Sequence, residues 1–585
     1  MATFLYKLGR TAFRRRRLVA LLWVALLALA GVGAATAPAA TSSSFSIPGT
    51  EAQRAFDLLE ERFPGAGADG ATARIVFKAP DGGSMNDAAP KAVVEETVAA
   101  LKSGSDQIVS VTDPYTAQAV SRDGSTAYVS VAYKVNGMEL TDETREALTQ
   151  AGHAAQGKGL TVEVGGDALQ TMPETGAGEI VGVVIAGIVL VITFGSLVAA
   201  GLPLLTAIIG VGIGVSTITA LANVLDLGST TSTLAMMIGL AVGIDYALFI
   251  VSRYRSELAD GRTKEEAAGR ATGTAGSAVV FAGLTVVIAL VGLAVVNIPM
   301  LTKMGFAAAG TVVIAVLIAL TLIPALLGFA GDKVIGRKQR KGAQNPEEAA
   351  KAAKPNAGTR WARFVIRRPV FVLLAGVLGL GAVAIPAASL EMGLPDDGVK
   401  PVSATERRAY DLLSDGFGPG FNGPLLVVVD GDKATAEKTV TTIKGLDGIA
   451  AVTPATPNKA GDAAMITVIP KDRPSSGATE TLVHDIRDAT GDDVLVTGAT
   501  AMNIDFSQKM NDALVPYLAL VVGLAFVLLT VVFRSVLVPL KAALGFLLSV
   551  VAARGAVVAV VRWGWLGGRC GGEQTGPSVS MMRVW

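Results

Sequence analysis

Cysteine is nearly absent from this chain: Cys570 is the only one in 585 residues. A single thiol can form no internal disulfide and no cysteine metal cluster. Histidine is almost as rare, with only His153 and His484, far apart in sequence, so a histidine zinc site is not expected. Charge of one sign is lacking too. The 50 Lys and Arg offset 49 Asp and Glu, for a net charge of +1, which gives no footprint for nucleic acid. No Gly-x-x-x-x-Gly-Lys-Ser/Thr segment occurs, so ATP hydrolysis by this chain is not expected. Ser, His and Asp residues occur in the polar segments, but no Gly-x-Ser-x-Gly elbow accompanies them. No enzyme activity, metal or cofactor is implied.

The chain is instead rich in apolar residues, at 51% of the sequence with a mean hydropathy of +0.51. Nine apolar runs approach or exceed the length that crosses a bilayer: Leu18–Ala35, Ile180–Val198, Leu202–Leu225, Leu234–Val251, Ala275–Val296, Met304–Phe329, Val370–Ala388, Leu514–Val532 and Val536–Val561. The first follows Arg14 to Arg17 and is expected to be an uncleaved anchor, because its apolar stretch is long and a similar segment recurs from Arg367. Basic residues crowd the N-terminus, the loop from Arg253 to Arg270, and the segment from Lys333 to Arg368. The loops Ala222–Thr233 and Asn297–Lys303 carry only Lys303. This asymmetry predicts a multi-pass protein of the plasma membrane with its N-terminus in the cytoplasm. The stretch Arg253–Arg270, with mixed charges at helical spacing, is expected to be a surface helix on the cytoplasmic face. Arg337–Lys354 is expected to be a flexible linker drawn to anionic lipid.

An internal repeat organises the chain. Two long polar segments, Thr36–Glu179 and Ser389–Ala513, follow the first and seventh runs. Arg54-Ala55-Phe56-Asp57-Leu58-Leu59 in one matches Arg408-Ala409-Tyr410-Asp411-Leu412-Leu413 in the other, and Phe194-Gly195-Ser196 matches Phe533-Arg534-Ser535. Each polar segment reads as α+β, helix first and strands after. Duplication with a polar residue at membrane depth is a common plan for secondary transporters.

That polar residue is Asp245, in the apolar run Leu234–Val251. A charged side chain at the bilayer centre costs about 3 kcal/mol on insertion scales, and such residues usually carry function. The expectation is a proton-binding carboxylate with the Tyr246 hydroxyl as its hydrogen-bond partner. The weaker alternative is an Asp satisfied by hydroxyls such as Thr311 or Ser232, with a packing role only. Gly210-Val211-Gly212-Ile213-Gly214 lacks the strand–turn–helix context of a dinucleotide loop and is expected to serve close helix packing, as are Gly239, Gly243 and Gly283.

Gly243-Ile244-Asp245-Tyr246, with Phe249-Ile250-Val251-Ser252-Arg253-Tyr254-Arg255 after it, resembles the fourth-helix signature of the MMPL (mycobacterial membrane protein large) family, in the resistance-nodulation-division superfamily. The resemblance covers nearly the whole chain. It implies a polytopic α-helical membrane protein with two extracytoplasmic α+β porter-like domains. Its function would be proton-driven export of lipids or other hydrophobic compounds, with Asp245 and Tyr246 as one of two Asp-Tyr relay pairs. Partners would be a hydrophobic or lipid substrate, protons and membrane lipids, with self-association or accessory membrane proteins as further candidates, and no nucleic acid.

The expected organisation is an N-terminus and first helix (1–35), first outer domain (36–179), helices two to six (180–330), cytoplasmic linker (331–369), helix seven (370–388), second outer domain (389–513), helices eight and nine (514–561) and an aberrant tail (562–585). Met236-Met237 precedes Asp245, and Met581-Met582 looks like its counterpart, so a second Asp would fall near position 590, past Trp585. Arg554, Arg562, Arg569 and Arg583 also suit a membrane poorly. The expectation is therefore a duplicated architecture lacking its last three helices. The alternative function is a truncated, non-transporting membrane scaffold or a lipid- or protein-binding sensor.

Overall fold

The computed structural model describes residues 1–38, 46–64, 70–169, 177–335, 357–389 and 396–561. The linker Arg337–Lys354 and the tail with Met581-Met582 lie outside the described residues. In chain order the main elements are α1 (Ala2–Arg14), α2 (Arg16–Thr36), α3 (Glu51–Arg62), β1 (Thr72–Lys78), α4 (Ala88–Gly104), β2 (Ile108–Thr112), β3 (Thr126–Tyr133), α5 (Asp142–Gln156) and β4 (Thr161–Gly165). Then follow α6 (Ala177–Phe194), α7 (Leu197–Leu225), α8 (Ser229–Ala259), α9 (Lys264–Gly292), α10 (Pro299–Ala330), α11 (Ala357–Arg367) and α12 (Pro369–Ala384). The rest comprises α13 (Thr405–Phe417), β5 (Leu425–Asp430), α14 (Lys433–Lys444), β6 (Ile449–Val452), β7 (Thr456–Pro457), β8 (Ala463–Pro470), α15 (Gly477–Ala489), β9 (Val494–Thr497), α16 (Ala499–Phe533) and α17 (Leu537–Val561).

Among the described residues, eight helices are long and apolar enough to cross a membrane. The expected second span is shorter than read. Its apolar helix stops at Phe194, because Gly195 turns into the left-handed region at φ +61 and Ser196 caps α7 by accepting the Ala199 amide at 3.3 Å. Arg554, which the sequence places as an interruption, does not break α17.

The chain divides into two compact units. The first comprises Met1–Phe45, Pro173–Gly376 and Leu514–Ala543. Here small residues let helices approach closely. A Cβ on Gly214 or Gly239 would lie 2.9 or 2.7 Å from Thr311, and one on Gly243 would lie 3.1 Å from Ala207. Trp23 of α2 packs on Ile213, Ile318 and Leu322, and its indole donates to Thr321 Oγ1 at 3.0 Å. The helix α1 lies along α9, with Gly9 against Thr272 and Gly269 against Tyr6 and Arg10. No separate surface helix occupies Arg253–Arg270. The helix α8 runs on through Ala259, the chain turns at Gly261 (φ +81), and Thr263 caps α9. Charges at helical spacing mark a helix that leaves the apolar layer as well as one that lies upon it, so periodicity alone misassigns this stretch.

The second unit comprises Ser46–Met172, Val377–Ala513 and Leu544–Trp585. It holds two antiparallel sheets of equivalent order, β2-β3-β1-β4 and β6-β8-β5-β9, with β7 paired to β8. A helix leads each segment, as expected, but two further helices are interleaved with the strands of each, which corrects the expectation that strands alone follow. Alternate residues of β1 face opposite sides: Ala73, Ile75 and Phe77 join the core beneath α4 and α5, whereas Val76 packs on Ala409 and Leu413 of α13. The leading helices are exchanged. The helix α3 packs on β9 and β5 of the second sheet, and α13 packs on β4, β1 and β3 of the first. Equivalent side chains cover the two outer strands. Thr405 Oγ1 accepts the Val164 amide at 2.9 Å, and Glu51 Oε1 accepts the Val496 amide at 3.0 Å. Covering an edge strand this way removes a template for unwanted pairing.

Candidate functional site

The site begins with α8, a helix of 31 residues. At 1.5 Å per residue, Asp245 lies about 24 Å from one end and about 21 Å from the other. Met237, Ala241, Asp245 and Phe249 are exposed and spaced four apart, so they form one stripe along the helix. The next residue is rotated by about 100°, and Tyr246 is accordingly buried, at 5% exposure. Its ring lies beside Gly283 of α9, where a Cβ would approach the phenolic oxygen to 3.8 Å. The surrounding core includes Leu190, Phe194, Val279, Ala319 and Ile323. Gly283 also faces Val316 of α10, whose Cγ2 would clash with an added Cβ. Adjacent in sequence, the two side chains thus occupy different surroundings.

Among the described residues, no hydrogen bond joins Asp245 to Tyr246, Thr311 or Ser232. Thr311 donates to the Ala307 carbonyl at 3.2 Å and packs between Gly214 and Gly239. Ser232 precedes Asp245 by 13 positions in the same helix, about 20 Å along the axis. The proton-binding expectation named the Tyr246 hydroxyl as partner and the packing alternative named the other two, and the geometry supplies none of the three.

Sequence reasoning missed an ion cluster where α8 meets α9. Glu257, 2% exposed, takes Arg253 at 2.5 Å and Arg262 at 2.9 Å. Arg262 and Arg270 both reach Glu266, at 3.1 and 3.0 Å. Glu265 takes Arg10 at 2.5 Å and Arg14 at 2.8 Å from α1. The i,i+4 spacing of Arg253 with Glu257 was a readable signal, but the ties to Arg262 and to α1 are tertiary. In the second unit, Glu163 holds Arg408 at 2.7 Å and Thr405 at 2.7 Å. A cleft of about 350 Å³ beside this pair is lined by Thr149, His153, Gln156, Glu163, Thr405 and Arg408.

The MMPL family model matches residues 44–372 and 455–568. The chain belongs to the MMPL family. MMPL proteins stand in the resistance-nodulation-division superfamily, and the family and its homologues are transporters. The chain is similar to "Membrane protein YdfJ" of Bacillus subtilis, at 43% identity over 96% of this chain and 78% of the relative. It is similar to "Putative membrane protein SCO6666" of Streptomyces coelicolor, at 34% identity over 97% and 79%. It is also similar to "Mycolic acid-containing lipids exporter MmpL11" of Mycolicibacterium smegmatis, at 28% identity over 90% of this chain and 57% of that exporter. As an MMPL member with eight helices long and apolar enough to cross a membrane among the described residues, the chain is a multi-pass membrane protein.

Proposed function

We propose that this MMPL protein exports lipids or other hydrophobic compounds and draws its energy from the proton gradient. Asp245 is the proton-binding carboxylate. The observation that carries the reading is its place: an ionisable group about midway along an apolar helix, on the helix's exposed stripe. An ionisable residue at that depth is expensive and is retained where it works. Tyr246, fixed against Gly283, positions the helix beside the carboxylate and lends a polar group to the adjoining core. The lipid class of cargo is supported by the likeness to the named MmpL11 lipid exporter. The protein resides in the plasma membrane with its N-terminus cytoplasmic, a reading supported by Lys7, Arg10 and Arg14 to Arg17 and by the basic corner between α8 and α9. The two α+β segments then face outward and serve as porter domains, within the boundaries expected from the sequence.

The test is reconstitution of the full chain into vesicles loaded with a fluorescent phospholipid analogue. An imposed pH gradient should move the analogue across the bilayer, and a protonophore should abolish the movement. Movement no faster than in protein-free vesicles sinks the reading.

A further inference from the structure

The short helices before the first and seventh spans are equivalent in the repeat but differ in the residues that line them. Phe13, Arg16 and Arg17 align with Phe364, Arg367 and Arg368, at a constant offset. On that alignment Gly9 and Ala12 of α1 correspond to Arg360 and Arg363 of α11. Gly9 lets α1 seat closely on α9, and Ala12 lies one turn on in the same helix. A Cβ at position 9 would lie 2.5 Å from Thr272 Oγ1, and Ala12 is buried. Arginine at both places forbids that mode of docking.

The described remainder of α11 is open. Arg360, Trp361, Arg363, Phe364, Ile366 and Arg367 are exposed. Residues advance by about 100°, which groups Trp361, Phe364 and Val365 on one face and Arg360, Arg363 and Arg367 along its flank. The Trp361 and Phe364 rings lie 5.6 Å apart, as that placement requires. The segment from position 357 through Arg368 contains no acidic residue. One residue past Arg368 the apolar span Pro369–Ala388 begins, so a membrane surface is within reach of the helix.

We propose that α11 is an interfacial helix that binds anionic phospholipid headgroups of the bilayer. Trp361, Phe364 and Val365 enter the acyl boundary, and Arg360, Arg363 and Arg367 take the phosphates. Aromatic and basic side chains in this arrangement are the mark of helices lying in the interface plane. Each arginine near an anionic surface contributes roughly a factor of five in partitioning, so the three together contribute on the order of a hundredfold. The proposal is independent of proton coupling and of the cargo.

The experiment is hydrogen–deuterium exchange on the full chain in phosphatidylcholine vesicles with and without phosphatidylglycerol, following residues 357–368 with α1 as internal control. The expected result is slower exchange across 357–368 when phosphatidylglycerol is present, reversed by high salt, lost in the Arg360→Gln/Arg363→Gln/Arg367→Gln variant, and no change in α1. Protection that ignores phosphatidylglycerol and salt overturns the proposal. So does protection that inorganic phosphate confers equally in phosphatidylcholine alone, which would make the site one for a free anion.

Discussion

The backbone amide of Val496 donates to the carboxylate of Glu51 across 445 positions of chain. Around it, Arg487 bridges Glu51 at 3.2 Å and Asp505 at 2.7 Å, and Asp505 accepts the Ala52 amide at 2.9 Å. Asp505 is 4% exposed. Removing one member of a buried ion pair strands the other. Asp505→Ala should therefore destabilise the second unit by about 3 kcal/mol, read as a lower threshold for proteolysis within 46–172 and 396–513. Wild-type resistance would contradict the account of α3 as a clasp on the second sheet.

The reciprocal clasp is weaker. Arg408 pairs with Glu163 but keeps 44% of its side chain exposed, so solvent screens the interaction. Arg408→Ala should cost only about 1 kcal/mol in the same proteolysis assay. A loss as large as that of Asp505→Ala would show that the two ends of the exchange are equally buried, contrary to the geometry.

Glycine substitutions in the membrane unit should split by the space available. Gly239→Val forces a side chain onto Thr311, where the added Cβ would lie at 2.7 Å, and onto Val211 at 3.2 Å. Overpacking of this kind costs about 1–3 kcal/mol. Gly310→Ala meets nothing within 4 Å and should stabilise the helix by roughly 0.5–1 kcal/mol. Thermal unfolding in detergent, followed by size-exclusion recovery, should place the two variants on opposite sides of wild type. The same sign for both would discount close packing through these glycines.

In the turn before β3, Asp123 accepts Ser121 Oγ at 2.6 Å, the Ser125 amide at 3.1 Å and Ser125 Oγ at 2.9 Å. The Ser121 bond first, and then those from Ser125, hold its carboxyl down from 3.8 to about 2. A carboxyl whose pKa is lower folded than unfolded adds stability above its unfolded value, and that stability fades as pH falls toward the folded one. Asp123→Asn should thus lose less stability than wild type between about pH 4 and pH 2. Unfolding midpoints measured across that window check it, and parallel curves would contradict it.

The spans, the repeat and the family were legible because apolar length and self-similarity are written locally. The exchange of α3 and α13 was not. Arg54-Ala55-Phe56 and Arg408-Ala409-Tyr410 announce equivalent helices, but nothing local says which sheet each one joins. Glycine packing at Gly210, Gly214, Gly239, Gly243 and Gly283 was readable because only close approach explains so many small residues in apolar helices. Asp245 could be singled out as a candidate from its cost alone. The separation of its surroundings from those of Tyr246 required the helix phase and the neighbours α9 and α10. The site of Glu257 was hidden because its partner Arg262 lies beyond the helix end, across a glycine turn.

The central claim is that Asp245 carries the coupled proton, and Asp245→Asn tests it most directly. Asparagine keeps the shape of the side chain and removes the titrating group. In vesicles holding equal amounts of folded protein, the account predicts that Asp245→Asn abolishes movement of a lipid analogue driven by a pH gradient, together with the accompanying proton flux. Coupled transport at the wild-type rate in that variant would contradict it.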